Sequence, residues 1–308
     1  MKTKNRQEFD SNVGIEISNF KNIDDAIRFA SIDYTVEKQP IFLEDGREIK
    51  GNYANVRSDN NQPISVIGER YTNLQNINAF SFMQELMDLY NVKMQKGGSY
   101  DGGRKSFITA QTEEPFELLG DKYSNKMTFL NSFDGSGSVK VIYVPMRMVC
   151  TNGLMLEDSQ YRSQISIQHS KTVHEKLEAT KNIMISNNKY ISFIKEVCTK
   201  LASIRLTKKA FIEMIEHIMP IEDKATSIIT DRVVERRENI MQAYNMSDLQ
   251  NFNNSAYKAV MAISDYESHY EPIRNTGNDY IYLQRVVGGM KILNEVYSYM
   301  RSRLGISY

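Results

Sequence analysis

The change of pattern at Thr172 constrains this chain most. Before it, short apolar runs alternate with Gly, Pro, Asn and Asp turns. From Thr172-Val173-His174-Glu175, a capping box, apolar residues recur at helical spacing to the end. Strands followed by helices, rather than the two alternating, argue an α+β fold. The expected architecture is an antiparallel sheet with an inserted helix in the N-terminal half, followed by a C-terminal helical bundle. The boundaries are a polar segment over 1–30, a mixed sheet domain over 31–171 and a helical region over 172–308.

Within the first half, Tyr34, Thr35 and Val36 and then Ile41, Phe42 and Leu43 read as short strands around Pro40. Ile77, Phe80, Met83, Leu86, Met87 and Tyr90 share one helical face, which predicts a helix over 77–90. A long hairpin follows, with strands over 126–133 and 139–149 turned at Asp134-Gly135. Pro145 lies inside its second strand, lacks an N–H, and so belongs at an edge or a bulge. In the second half, helices are expected from 173 to about 205, 208–218, 225–244, 247–268 and 279–303. Ser247-Asp-Leu-Gln250 is a second capping box, and Gly288-Gly289 interrupts the last helix.

With 38 basic against 38 acidic residues, no global field favours nucleic acid or an anionic membrane. The two cysteines, Cys150 and Cys198, have no CxxC spacing, so neither a disulfide framework nor a zinc site is implied. The first residues carry no apolar secretory core, and no apolar run is long enough for a membrane span. A reducing compartment, the cytoplasm of a bacterial host cell, is the expected location, with virion association left open.

Several motifs invite chemistry. The Gly-rich run from Gly97 to Ser106 lacks the Lys that must directly follow the last Gly of a phosphate loop, and a strand rather than a helix follows it. It reads as a hairpin presenting Arg104 and Lys105. Asp134-Gly-Ser136-Gly-Ser138 has spacing seen at some divalent-metal sites but runs into a strand, so no metal is expected. Cys150 with His169 forms a conceivable thiol–imidazole pair, although nothing nearby in the sequence lowers the thiol's pKa. Between Lys171 and Ala210 nine Lys or Arg stand against three Glu. Lys181, Lys189 and Lys200 fall opposite the apolar stripe of that helix, either a solvated face or a surface for phosphates.

The motifs add up to a family resemblance. Val56-Arg-Ser-Asp59, Ile67-Gly-Glu-Arg-Tyr71, Gln75-Asn76, Gly103-Arg104, Asn131-Ser-Phe-Asp-Gly135, Arg147-Met-Val-Cys-Thr-Asn152 and Ile167-Gln-His169 resemble the phage/plasmid-like family, domain of unknown function 932. Asp33–Val36, Ser255–Val260 and Asp265–His269 extend the likeness over about residues 31–275. Phe133 stands where a His is common and Gly153 where a Thr is common. The resemblance implies a setting in phages and plasmids and no particular reaction. The order helix, meander, helix is also similar to phage single-strand annealing proteins.

The leading expectation is therefore a non-catalytic protein of mobile-element DNA metabolism that binds single-stranded nucleic acid without a cofactor, as a homo-oligomer. Arg104, Lys105 and Arg147 on the sheet and Lys181, Lys189 and Lys200 on the helix would meet phosphates. Tyr100 and Tyr143 would stack on bases. The rival is an enzyme of unknown reaction gathering Arg57, Asp59, Asn131, Asp134, Arg147, Cys150, Asn152 and His169. A third expectation is a virion or host-takeover interaction protein.

Overall fold

The computed structural model describes residues 13–135, 139–167, 172–245, 251–272 and 281–305. Its first elements correct the reading of 13–30 as part of a polar segment, and residues 1–12 lie outside the described residues. β1 (Ile15–Glu16) enters a sheet and α1 (Ile23–Phe29) packs on the core. Ile23, Ala26, Ile27 and Ala30 recur at i, i+3, i+4 and i+7 and are buried. Asn22 caps the helix by accepting from the N–H groups of Asp24 and Asp25. The polar residues between these positions obscured a short stripe.

β2 (Val36–Phe42), β3 (Glu48–Arg57) and β4 (Pro63–Gly68) form a three-stranded antiparallel sheet. Pro40 lies within β2 rather than between two strands. β2 is an edge, and the register shifts just after Pro40, which has no N–H to donate. The single helix expected over 77–90 is two, α2 (Asn76–Ala79) and α3 (Met83–Tyr90). They part where Phe80 and Phe82 both turn into the core.

The second sheet contains β5 (Val92–Tyr100), β6 (Lys105–Thr112), β7 (Phe116–Leu118), β8 (Asp121–Ser132), β9 (Val139–Arg147) and β10 (Gln164–Ile167). Its order is β1-β5-β6-β8-β9-β10, with β7 against β8. Pro145 is opposite Asn125 of β8, while β10 covers only residues 139–142 of β9. Pro145 thus sits at a local edge, and its carbonyl accepts from Leu154 N at 2.8 Å.

The helices are α4 (Val173–Ser203), α5 (Lys208–Ile218), α6 (Ser227–Tyr244), α7 (Ala256–His269), α8 (Ile281–Gly288) and α9 (Lys291–Leu304). The Thr172 capping box is formed on both sides, with Glu175 N to Thr172 Oγ1 at 3.2 Å and Thr172 N to Glu175 Oε2 at 3.0 Å. The Ser247 box lies outside the described residues, and Ser255 caps α7 by accepting from Lys258 N. Gly289 and Met290, at φ 77° and 38°, make the corner between α8 and α9.

Side chains alternate across a strand, so the second sheet has two differently covered faces. On one, the Tyr143 hydroxyl donates to Ile183 O of α4 at 3.0 Å, and Phe129 meets Phe82 at 5.7 Å. On the other, Thr128 Oγ1 lies 3.0 Å from the hydroxyl of Tyr282 of α8. One hydrophobic core runs through sheets and helices alike, so residue 172 marks a change of secondary structure within a continuous interior. α7 lies at its centre, with every residue from Ala256 to His269 buried. None of the described helices is long and apolar enough to cross a membrane.

Candidate functional site

The quoted motifs fold into two polar clusters. The first is a seam between the two sheets. Asn76 Nδ2 donates to Ile32 O at 2.8 Å and to Ser106 Oγ at 3.0 Å, and its Oδ1 accepts from Asn131 Nδ2 at 2.9 Å. Asn131 also donates to Leu74 O, and Asn55 donates to Phe133 O, each at 2.8 Å. Gln75 brackets the backbone of Val36 at 2.9 Å on both sides, and the Tyr34 hydroxyl donates to Gly103 O at 2.7 Å. Arg57 lies 3.9 Å over the Tyr34 ring and holds Asp59 at 3.0 and 2.6 Å. Hydrogen bonding from Arg57 keeps the Asp59 carboxyl below its ordinary range. Gly103 sits at φ +91°, where a side chain is strained, and a Cβ there would also displace the Arg57 guanidinium, 2.4 Å away at Nη1. Phe133 is fully buried against Tyr34. Asp134 is exposed and accepts from Ser132 Oγ at 2.7 Å.

The second cluster fastens the loop after β9 to α7. Arg147 is buried and bonds Asp121 Oδ2 through Nε at 2.8 Å and Nη2 at 2.7 Å. Its Nη1 is 3.5 Å from Cys150 Sγ. Gly153 N donates to Ser268 Oγ at 3.1 Å, and Ser264 Oγ donates to Gly153 O at 2.8 Å. The Asn152 amide nitrogen, with the amide oriented to satisfy its neighbours, lies 2.8 Å from Asp265 Oδ1, 2.9 Å from His269 Nε2 and 3.1 Å from Cys150 O. His269 Nε2 is also 3.0 Å from Cys150 O. His169 lies outside the described residues. The imidazole that reaches Asn152 belongs to His269, and its signal in the sequence is Asp265 and His269 at i and i+4 on one helix face. Cys150 is buried beside a guanidinium that Asp121 already neutralises, an arrangement suited to fastening rather than to nucleophilic attack. Burial pushes the thiol of Cys198 up.

The enzyme constellation read from the sequence does not assemble. Arg147 pairs with Tyr123 at one end of β8 and Ser106 pairs with Asn131 near the other. Eight residues of strand separate Tyr123 from Asn131, roughly 26 Å at about 3.3 Å per residue. Arg57, Asp59, Asn131 and Asp134 therefore cannot share a substrate with Arg147, Cys150 and Asn152.

The nucleic-acid set is divided too. Tyr143 is fully buried under α4 and Arg147 is committed to Asp121, so neither can meet a base or phosphate. Arg104 is half-buried, with Nε on Ile64 O at 2.8 Å and an ion pair to Asp101 at 3.3 Å. Lys105 pairs with Ser132, whose side chain shares the face of Thr128, and hence lies on the α8 side of the sheet. There it sits 5.8 Å from the ring of Tyr100 and lines a cleft of about 70 Å³ with Lys140 and Val287. Burial raises the Tyr100 hydroxyl to about 12. Lys181 and Lys189 are exposed and Lys200 half-exposed on α4, which covers the opposite face.

α7 also carries a buried carboxylate that the motifs did not reveal. Glu267 accepts from Ile292 N at 2.9 Å and Leu293 N at 2.7 Å, tying α7 to the start of α9. Burial raises its carboxyl to about 8, against the opposing pull of those two N–H groups. The folded chain thus holds a proton that the unfolded chain releases near 4.5, so stability falls as pH rises from about 4.5 to 8. One such group contributes at most about 1.4 kcal/mol per pH unit. Urea unfolding of wild type and Glu267→Gln across pH 5–8.5 should show a flatter profile for the variant. An equal slope would assign the pH dependence elsewhere.

The fold and its clusters define an α+β protein built on two antiparallel sheets, joined by an asparagine seam and closed over a buried polar helix. The chain belongs to the family described as a domain of unknown function, DUF932, whose model matches residues 63–287. No curated protein and no solved structure matches it. Among the described residues, no group of His, Cys, Asp and Glu is placed to hold a metal ion.

Proposed function

We propose that this chain binds single-stranded nucleic acid through the outer face of α4 and the turn into α5, in a phage or plasmid setting. The observation that carries the reading is a run of cations along α4 and the turn into α5. From Ala179 to Ile212 there are seven cations, Lys181, Lys189, Lys195, Lys200, Arg205, Lys208 and Lys209, against Glu196 alone. All are exposed except Lys200, which is half-exposed. Lys181 and Lys200 are about 28 Å apart along the helix at about 1.5 Å per residue, a span suited to several phosphates. Such contacts act on the backbone regardless of sequence. The sheet residues and tyrosines of the expected surface are not part of this reading. The context rests on the family resemblance and an oligomeric assembly on the likeness to annealing proteins alone, and light scattering showing only a monomer would remove the assembly.

Single strands contribute a salt slope of about −0.7 per neutralised phosphate. A combined Lys189→Gln, Lys195→Gln and Lys200→Gln variant should bind a labelled oligonucleotide more weakly, with a slope shallower by about 2. Affinity and slope equal to wild type would remove α4 as the binding face.

A further inference from the structure

β2 and β3 run on past the rest of their sheet. β4 pairs with β3 only from Asn52 to Val56, whereas β2 and β3 stay paired out to Phe42 and Glu48. From Glu37 to Ala54 every residue is exposed or half-buried, on both strands and on the turn between them. The hairpin therefore projects from the body as an arm. A two-stranded hairpin is marginal in water by itself, and a polar end is what solvent favours. This one ends in Phe42 and Leu43, 57% and 45% exposed. Two adjacent large apolar side chains at the end of a projecting arm point to a surface that covers them.

The charges at the tip specify that surface. Arg47 is held by Asp45 at 2.7 Å, and Lys50 is set back along β3. Glu44 and Glu48, beside the apolar pair, form no ion pair among the described residues. An acidic tip repels nucleic acid and anionic lipid and suits a cationic surface with apolar ground. α4 presents one. Ile185, 42% exposed, lies one helical turn from Lys181 and one from Lys189, both exposed. Glu178 is the only acid from Leu177 to Lys189. We propose that the tip of the arm docks on this stretch of α4 in a second copy of the chain. Phe42 and Leu43 lie against Ile185, and Glu44 and Glu48 meet Lys181 and Lys189. The contact joins two different surfaces, so it repeats from copy to copy into a ring or a filament. It rests on the oligomeric part of the proposed function and gives that assembly an interface. The cations from Lys195 to Lys209 stay open to nucleic acid.

The test is sedimentation velocity of the full chain over a concentration series, at low and high salt. Wild type should associate, and less so at high salt. Phe42→Asp with Leu43→Asp removes the tip, and Lys181→Glu with Lys189→Glu removes its seat. All four positions are exposed, and thermal melts check that each double variant folds as wild type does. Each alone should stay monomeric where wild type associates. Mixed in equal amounts, they should form a dimer and stop there, because one keeps the seat and the other keeps the tip. Wild type monomeric at every concentration removes the assembly and this contact with it. Association of either variant as in wild type, or no dimer from the mixture, overturns this contact and leaves the assembly to another surface. A tip variant that associates normally but loses oligonucleotide affinity assigns the arm to nucleic acid and overturns the proposal too.

Discussion

Replacing Asp121 with Ala is expected to destabilise the protein by about 3 kcal/mol, the lower part of the range for breaking a buried ion pair. The reason is what remains rather than what is lost. Arg147 is only 3% exposed, and its Nε and Nη2 both rest on Asp121 Oδ2. Without the carboxylate, the buried guanidinium loses its two contacts to Oδ2, and the thiol of Cys150 at 3.5 Å is too weak an acceptor to replace them. The Asp121 side chain is 21% exposed, so water reaching the gap moderates the cost. The double variant Asp121→Ala with Arg147→Met should recover much of the loss, because apolar packing commonly replaces such a pair without penalty. Urea midpoints of the two single variants and the double close the cycle. A cost below about 1 kcal/mol for Asp121→Ala would mean that the pair is solvated and does not anchor the loop.

How much of this was legible in the sequence depended on range. Thr172 and Glu175 announced α4 because a capping box is a local bargain between residues three apart. Gly288-Gly289 announced the corner before α9 for the same reason, since positive φ is a property of single residues. Pro145 located its own local edge. α7 was another matter. Its sequence places Lys258, Ser264, Asp265, Glu267, Ser268 and His269 around the helix, and such a pattern reads as partly solvated. It is buried on all sides only because Gly153, Asn152 and the N–H groups of α9 arrive from distant segments to satisfy those side chains. Nothing local encodes that meeting.

The same limit governed the site. Asn131 and Arg147 are sixteen positions apart and looked like neighbours in one polar stretch. They belong to opposite strands of a hairpin whose turn lies beside Asn131, so β9 carries Arg147 the length of the sheet away. The lysines of α4 and Lys105 all read as one basic surface, and the sheet lies between them. Charge could be counted from the sequence, but the face on which it emerges follows from strand parity, which a shift of one residue would reverse.

The seam offers the second large effect. Asn76→Ala should cost about 3 kcal/mol, since it leaves Ile32 O, Ser106 Oγ and one donor of Asn131 with fewer partners in a buried setting. Asn76 is 1% exposed, so water offers little rescue. Asn76→Asp should be worse near neutral pH. The carboxylate keeps an acceptor for Asn131 but places negative charge against the carbonyl of Ile32, where a donor stood. Its deficit should shrink in acid, as the carboxyl protonates and regains a donor. Asp59→Asn, on the exposed rim of the same seam, should change stability by about 0.5 kcal/mol or less, as befits a surface ion pair. Denaturant unfolding of the three variants, with nucleic-acid binding measured on each, separates two roles for these motif residues. A fastening predicts graded losses of stability with binding retained in whatever remains folded. A ligand site predicts the reverse, with Asn76→Ala folded as firmly as wild type and its binding gone.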